Sequence, residues 1–450
     1  MNTANPARLE RGLGLKEATA LNMIDMVGIG PFIVVPLVIQ DMGGPQCLLA
    51  WVAGAVLSLI DACIWAELGA ALPEAGGSYV FLREAYGPKR WGRLMAFLFI
   101  WQTMFQAPLV MASAAIGFAE YFSYLAPLDA VTERVVRGGL IIFLIFLLYR
   151  RITTVGKISL LLWVGVVATM LWLIWGGVTH FDPALAFTYP EGAWDLSWVF
   201  FVGLGQASVR TIYTYLGYYN VCHLGAEIRD PERNIPRSIF ISILGITALY
   251  LAMQTSILGV VPWQEGQNSE FIVSTFVERI HGAGAAKVAT GLILWVAFAS
   301  LFAVILGYSR VPYAAALDGN FFAAFGRLHP TKHFPHISLL ALGAAGLVFS
   351  VLFRLGDVIK AIGAMRLLVQ FVGQAIGVMV LRRRWGPERL PFRMWLYPVP
   401  AVLAAVLWFA LFLSTGWKFA SAGVGVIALG AIVFMFRAYA QREWPFATTP

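Results

Sequence analysis

Two short segments, each inside an apolar stretch that would otherwise form a continuous helix, have the residues to create a binding site. The first is Gly28-Ile29-Gly30-Pro31, in which the glycines permit non-helical torsions and the proline removes a backbone donor. The second includes Tyr213 and then Leu216-Gly217-Tyr218-Tyr219-Asn220. A half-helix that starts at such a break exposes amide groups that suit a carboxylate, and one that ends there exposes carbonyl groups that suit an ammonium. The pattern predicts non-covalent binding of a small molecule that carries both groups, such as an α-amino acid.

Other interpretations of these residues stay open at the level of sequence. A single glycine-proline break also occurs in a kinked, lipid-facing helix, because neighbouring helices can satisfy the freed backbone groups. The tyrosines, Tyr213 and Tyr218 among them, are equally typical of packing or of the membrane interface. The pairing of the breaks favours a binding site, because interrupted helices at corresponding places in two halves indicate a carrier with inverted repeats.

The composition requires a membrane as the solvent. Of 450 residues, 59% are hydrophobic and 12% charged, about half the charged fraction of a soluble domain, and the mean hydropathy is +0.75. No polar linker divides the chain, so the apolar excess must face lipid. The three cysteines lie inside apolar runs and predict neither a disulfide framework nor a zinc site.

Stretches of about 20 apolar residues predict an all-α polytopic membrane protein with twelve spans. The fourth is short enough to be an interfacial segment instead. A twelve-helix domain at 16–437 would lie between cytoplasmic tails at 1–15 and 438–450, with inverted repeats at about 16–179 and 196–381. The predicted spans are 18–41, 45–71, 92–120, 135–149, 156–179, 196–225, 238–261, 286–312, 336–354, 358–381, 395–416 and 419–437.

The distribution of basic residues fixes the predicted orientation. With the N-terminus inside, most of the 32 Lys and Arg residues fall in cytoplasmic loops, which places both termini in the cytoplasm of a multi-pass protein of the cell membrane. Arg8 counts to the inside, whereas Arg354 and Lys360 count to the outside. The net charge of +8 is a topology signal, and its scatter over short loops argues against a nucleic-acid partner.

Five charged residues fall within predicted spans, where charge is costly and points to a pathway or a paired contact. Glu67 is expected to be solvated at a cytoplasmic end. Arg210 is predicted either to pair with an acid or to meet substrate in an outer vestibule. The sequence assigns no role to Asp25, Asp61 or Arg366.

Several loop motifs resemble those of the amino acid–polyamine–organocation permeases, in the order in which that family has them, from about residue 16 to 400. They are Gly28-Ile29-Gly30-Pro31-Phe32, Pro73-Glu74-Ala75-Gly76-Gly77-Ser78-Tyr79, Glu227-Ile228-Arg229-Asp230-Pro231, Leu317-Asp318-Gly319-Asn320 and Leu390-Pro391-Phe392. The glycine-proline pair in the first is similar to the L-type amino acid and polyamine-uptake subgroup.

The resemblance implies the LeuT-like fold of five plus five inverted helices, with two additional C-terminal helices, and transport by alternating access. It implies that Ile29-Gly30-Pro31 binds the substrate carboxylate, while the amine meets Tyr213, Leu216 and Gly217. Pro108 on the third span and Phe302 on the eighth are further candidates.

Departures from the family pattern narrow the expected substrate. Members with cationic substrates often hold an acid in the second break, and Tyr218-Tyr219-Asn220 has none, which favours a neutral amino acid. A polyamine permease is the alternative, and it would need Asp25, Asp61 or Glu120 as its buried acids.

The same resemblance bears on ion coupling and on partner subunits. The fifth span lacks the lysine of some proton-coupled members, so proton coupling and exchange are both open. The heavy-chain partner of heteromeric members would use a cysteine in an outer loop. No cysteine of this chain is convincingly placed for that, so we expect no heavy-chain subunit. The chain carries no enzyme or phosphate-binding motif, so we expect a transporter without cofactor or metal. A channel is disfavoured because a binding site between repeats suits a carrier.

Overall fold

The computed structural model describes residues 9–352 and 366–446. These residues form helices and turns, with two isolated bridges and no strand among them. Several predictions therefore lie wholly or partly outside the described residues: those concerning Arg8, Arg354 and Lys360, the tails at 1–15 and 438–450, the end of the span at 336–354 and the beginning of the span at 358–381. The all-helical class agrees with the sequence.

The helices of the first half include two short ones that the hydropathy pattern did not predict. They are α1 Leu15–Met26, α2 Gly30–Met42, α3 Leu48–Ala71, α4 Ser78–Tyr86, α5 Trp91–Leu125, α6 Ala130–Leu148, α7 Ile152–Thr179 and α8 Pro183–Phe187. The short helices are α4 and α8. The second half contains α9 Trp198–Tyr215, α10 Asn220–His223, α11 Pro231–Leu258, α12 Trp263–Gly266, α13 Ile272–His281, α14 Ala283–Tyr308, α15 Arg310–Leu317, α16 His336–Leu352, a π-helical turn Leu367–Val372, α17 Gly373–Trp385, α18 Val399–Ser414 and α19 Trp417–Gln441.

Several of these helices are suited to a bilayer. Within the described part of the chain, six helices are long and apolar enough to cross a membrane, or seven if the bent pair α1 and α2 is counted as one span. This identifies a polytopic membrane protein, whereas the number twelve stays a prediction. Every predicted span overlaps a helix, including α6 at the short fourth stretch.

Burial separates central helices from peripheral ones. In the most apolar stretch of 18 residues, 72% is buried inside the protein in α5 and in α14, whereas only 17% is buried in α19. Large apolar side chains on the outside, such as Phe143, Leu161 and Phe436, are more than half exposed. Because such side chains are stable in hydrocarbon, the outer surface fits lipid, and α5 and α14 are placed where they can reach a central site.

Charged residues near the ends of the helices are paired. Glu67 is completely buried: Arg382 donates to both of its carboxylate oxygens, and the Met394 amide donates to it at 2.6 Å. The expected solvated role of Glu67 is therefore wrong, because the chain folds α17 across it. Arg210 on α9 donates to both carboxylate oxygens of Asp41 on α2. Of the two roles predicted for Arg210, this is the pairing with an acid.

The segment after the second break is fixed by a buried ion pair and by the start of the chain. Arg310 donates two 2.8 Å hydrogen bonds to Glu227, and both side chains are at most 3% exposed. Leu13, although assigned to the N-terminal tail, is completely buried and exchanges backbone hydrogen bonds with Glu227 and Arg229 at 3.0 and 2.8 Å. The ends of α10 and α14 are thereby held together.

We predict that E227Q strongly destabilises the protein. The substitution leaves the Arg310 guanidinium buried without a counter-charge, which typically costs about 3–5 kcal/mol. The measurement is the melting temperature of the purified protein in detergent. The matched control is E74Q, because Glu74 also pairs with an arginine but is 54% exposed, and its loss should change stability by less than about 1 kcal/mol. Equal melting temperatures for the two variants would contradict this role of the pair.

Candidate substrate-binding site

The first predicted break is present and sharp. Helix α1 ends at Met26, α2 begins at Gly30, and the axes differ by 49°. Val27 leaves the helical region with φ −88° and ψ 77°, and Pro31 lies in the first turn of α2, where its missing amide costs nothing. The glycines and the proline therefore end one half-helix and start another, as their residue types predict.

The break leaves amide groups free at the start of α2. Within the described part of the chain, the amides of Gly28, Ile29 and Gly30 donate to no protein acceptor, and all three residues are only half-buried. Amides at a helix N-terminus carry partial positive charge, which makes this end of α2 suitable for an anion such as a carboxylate.

The second break separates α9 from α10. Helix α9 ends at Tyr215, and Gly217 has a φ of +125°, a backbone conformation that side-chain-bearing residues rarely adopt. Its carbonyl accepts the Asn220 amide at 3.0 Å, which starts α10. The second predicted break is thus also present, and it depends on a glycine.

The two breaks touch each other. A Cβ on Gly217 would lie 2.9 Å from both the Asp25 carbonyl carbon and the Met26 nitrogen, and one on Gly30 would lie 3.6 Å from the Tyr213 ring. The Tyr250 hydroxyl, on α11, lies 2.9 Å from the Met26 carbonyl and 3.1 Å from the Thr214 carbonyl. The interrupted ends of α1 and α9 are therefore joined by one side chain, which the sequence analysis did not single out.

Further side chains brace the breaks from neighbouring helices. Asn22 on α1 accepts the Val221 amide at 2.9 Å, and Asn220 donates to the Ala303 carbonyl of α14 at 2.9 Å. The Ser300 hydroxyl donates to the Asp25 carbonyl at 3.4 Å. In the sequence, the signal for these roles is an asparagine or serine within an apolar helix near a break, because buried polar groups need partners.

The predicted site residues fall into two groups. Gly28, Ile29, Gly30, Tyr213 and Leu216 are half-buried or exposed, and the Tyr213 ring is 36% exposed although it lies against Gly30. These residues border accessible space where α2 begins and α9 ends. Pro31, Gly217, Tyr218, Tyr219 and Asn220 are buried beneath them.

Phe302 and Pro108 do not belong to the first group. Phe302 is completely buried in α14, and Pro108 is buried in α5. These helices approach the first break through other residues: Ser300, whose hydroxyl would lie 2.8 Å from a Cβ on Gly28, and Gly117, where a Cβ would lie 3.2 Å from Ile29.

A carboxylate from a distant part of the chain reaches the second break. Asp61 on α3 is buried and accepts hydrogen bonds from Tyr218 at 2.5 Å, Trp65 at 2.8 Å and Trp408 at 2.9 Å. The second break therefore has an acid beside it that its own sequence lacks. Three donors already occupy the Asp61 oxygens, so this acid fixes Tyr218 in place and is not free for an ammonium.

Arg366 also contacts the second break. It is 7% exposed, donates to the Tyr219 hydroxyl, and donates from Nε to Gln370 at 3.2 Å. Tyr219 stacks on Trp65 with ring centres 4.3 Å apart. Residues 218 and 219 are thus held between a carboxylate and a guanidinium, which positions the backbone of the break.

We predict that G217A loses stability and disturbs the break. A side chain at this φ typically costs about 1–2 kcal/mol, and the added Cβ would overlap the backbone of Asp25 and Met26. Thermal melting of the purified protein tests this. The control is G205A on α9, an exposed helical glycine with open space around it, which should be neutral or slightly stabilising. A G217A protein that melts like the control would refute the close approach.

The sequence is similar to those of known amino acid permeases. The family model described as amino acid permease matches residues 13–436. The serine/threonine exchanger of Bacillus subtilis is 24% identical over 88% of this chain and 89% of its own length. The branched-chain amino acid permease of the same bacterium is 24% identical over 92% and 90%, and the human cystine/glutamate transporter is 24% identical over 93% and 83%.

The family match covers nearly all the described residues, including both breaks and the loops with the family-like motifs. The chain therefore belongs to the amino acid permease family of the amino acid–polyamine–organocation superfamily and is a membrane protein of amino acid transport.

Proposed function

We propose that this permease moves neutral amino acids by alternating access, with the substrate bound where the two breaks meet. The observation that carries the proposal is the meeting of two interrupted helices, one with free amides at Gly28, Ile29 and Gly30, and the other with free carbonyls. An α-amino acid has a charged group for each. This arrangement binds substrate without a covalent step, as a carrier requires.

The carboxylate binds at the N-terminus of α2 in this proposal. The amides of Ile29 and Gly30 donate to it, while Pro31 sets the direction of the first turn. The ammonium binds at the opposite end, where the carbonyls of Tyr213 and Leu216 accept no hydrogen bond from another described residue. Helix ends of opposite polarity thereby hold the two charged groups.

A neutral side chain is favoured because the acid that reaches the second break, Asp61, is not free for a further positive charge. The Asp61 oxygens are occupied by three donors, and Glu120 is exposed at the end of α5. Two relatives are named for the transport of serine and threonine or of branched-chain amino acids, which are neutral. The occupied Asp61 oxygens carry the argument for a neutral substrate, because other relatives are named for cationic amino acids or for cystine and glutamate.

The proposed architecture has twelve spans, with the first and sixth interrupted as in five-plus-five inverted repeats. Both termini are cytoplasmic in this proposal. Its support is that Leu13 near one end pairs with Ile228, while Glu443 near the other end bonds Arg93 at 2.6 Å, where α5 begins. Both ends are thus tied to the loops that the charge pattern assigns to the inside.

Alternating access follows from hinges at the breaks. The Arg210 to Asp41 ion pair joins α9 to α2 on one side of the breaks, and the Glu227 to Arg310 pair fixes the chain on the other side. The half-helices can tilt about residues 27–29 and 216–219 as units, because each half keeps its own internal hydrogen bonds.

Uptake into proteoliposomes tests the substrate class. We expect saturable uptake of one or more neutral amino acids, such as L-serine or L-leucine, with counterflow and with higher melting temperatures in their presence. Preloading with unlabelled substrate and imposing a pH gradient distinguish exchange from proton coupling. Uptake of putrescine without any amino acid would contradict the proposal.

We predict that G30L abolishes substrate binding while the protein still folds. The Gly30 Cβ position has only ordinary contacts with Tyr213 and Thr214, at 3.6 and 3.8 Å, so G30A should be tolerated. The branched side chain of leucine would fill the space above the free amides. Binding is measured as the ligand-induced thermal shift. The control for bulk is G291L, at a helical glycine with nothing within 4 Å. If G30L still bound substrate, the assignment of the substrate carboxylate to the start of α2 would be wrong.

A further inference from the structure

A buried positive charge faces the candidate site and is not used by the hydrogen bonds proposed for the substrate. Arg366 precedes the π-helical turn Leu367–Val372, is 7% exposed, and has no carboxylate oxygen within 4 Å among the described residues. A guanidinium buried in a membrane protein without a salt bridge is costly, so it points to a functional role.

The contacts of Arg366 place its charge at the second break. It donates to the Tyr219 hydroxyl, and its guanidinium carbon lies 5.3 Å from the centre of the Tyr219 ring and 5.6 Å from that of Phe371. Arg366 is therefore next to the second break.

A carboxyl group also lies at the second break. Asp25, in the last turn of α1, is half-buried, and its carboxyl carbon would lie 3.0 Å from a Cβ on Gly217. Among the described residues, no ion pair within 4 Å joins Asp25 to Arg366. The meeting point of the breaks therefore has a carboxyl group from α1 and a guanidinium beside Tyr219, which suit the ammonium and the carboxylate of one zwitterion.

We propose that Arg366 is the charge-selecting residue of the site, which admits zwitterions without net charge and rejects diamines and cationic amino acids, in which at least one positive group has no carboxylate to balance it. The proposal rests on the proposed function and explains its substrate class. A cation without a compensating carboxylate would bring its charge within a few ångströms of a fixed guanidinium in a medium of low dielectric, where repulsion is strong. Asp25 offsets this repulsion for an ammonium only when the carboxylate of the same molecule meets Arg366 or the amides of α2.

The test compares the wild-type protein with R366Q and R366K. The probes are L-serine, L-leucine, L-arginine and putrescine, and the readout is the dissociation constant from thermal shift, with uptake in proteoliposomes. We expect wild-type protein and R366K to bind a neutral amino acid and to reject L-arginine and putrescine. In R366Q, the ratio of cation affinity to zwitterion affinity should rise by about tenfold or more, because the repulsive charge is gone.

Several results would overturn this inference. If wild-type protein bound putrescine or L-arginine as tightly as a neutral amino acid, the inference would be wrong, even if R366Q failed to fold. It would also be wrong if a folded R366Q kept the wild-type ratio of cation affinity to zwitterion affinity. Loss of discrimination in R366K, which keeps the positive charge, would contradict it too. If wild-type protein transported no amino acid, the proposed function itself would fail, whereas normal uptake with unchanged selectivity in R366Q removes only the role of Arg366.

Discussion

The structure depends on one constraint, which is that backbone amides and carbonyls inside a membrane must find partners within the protein. Two helices violate it locally, at residues 27–29 and 216–219, and the rest of the fold compensates. Tyr250 caps carbonyls of both breaks, Asn22 receives the amide of Val221, and Gly217 lets the two backbones approach closely. Among the described residues, the amides of Gly28 to Gly30 and the carbonyls of Tyr213 and Leu216 stay unpaired and are then available to a ligand.

Charges are organised around the same breaks. Asp61 and Arg366 bond the hydroxyls of two consecutive tyrosines, and the ion pairs Arg210 to Asp41 and Glu227 to Arg310 lie farther along the chain from the breaks. A buried ion pair adds little net stability but is costly to break, so it fixes one arrangement among several. The pairs therefore fix the chain on either side of the breaks, which suits the hinged carrier that we propose.

The proposal of a neutral substrate rests on a different argument once the structure is known. The sequence argued from an acid missing between Tyr218 and Asn220, but the fold brings Asp61 to that place. The proposal is now supported by the three donors that occupy this carboxylate and by the positive charge that Arg366 adds beside Tyr219. In this proposal selectivity depends on how charges are partnered, which composition near a break cannot reveal.

The sequence alone determined that the chain enters a membrane, where its two helices break, and to which family it belongs. These properties are local: they follow from apolar run length, from glycine and proline chemistry, and from loop motifs. Tertiary structure decided which side chains meet the breaks. Asp61 reaches Tyr218 across 157 residues and Tyr219 meets Arg366 across 147, while Glu67 is buried against Arg382 and not solvated. Such pairings depend on which helices pack together, and hydropathy is alike for every apolar helix, so the sequence carried no signal for them.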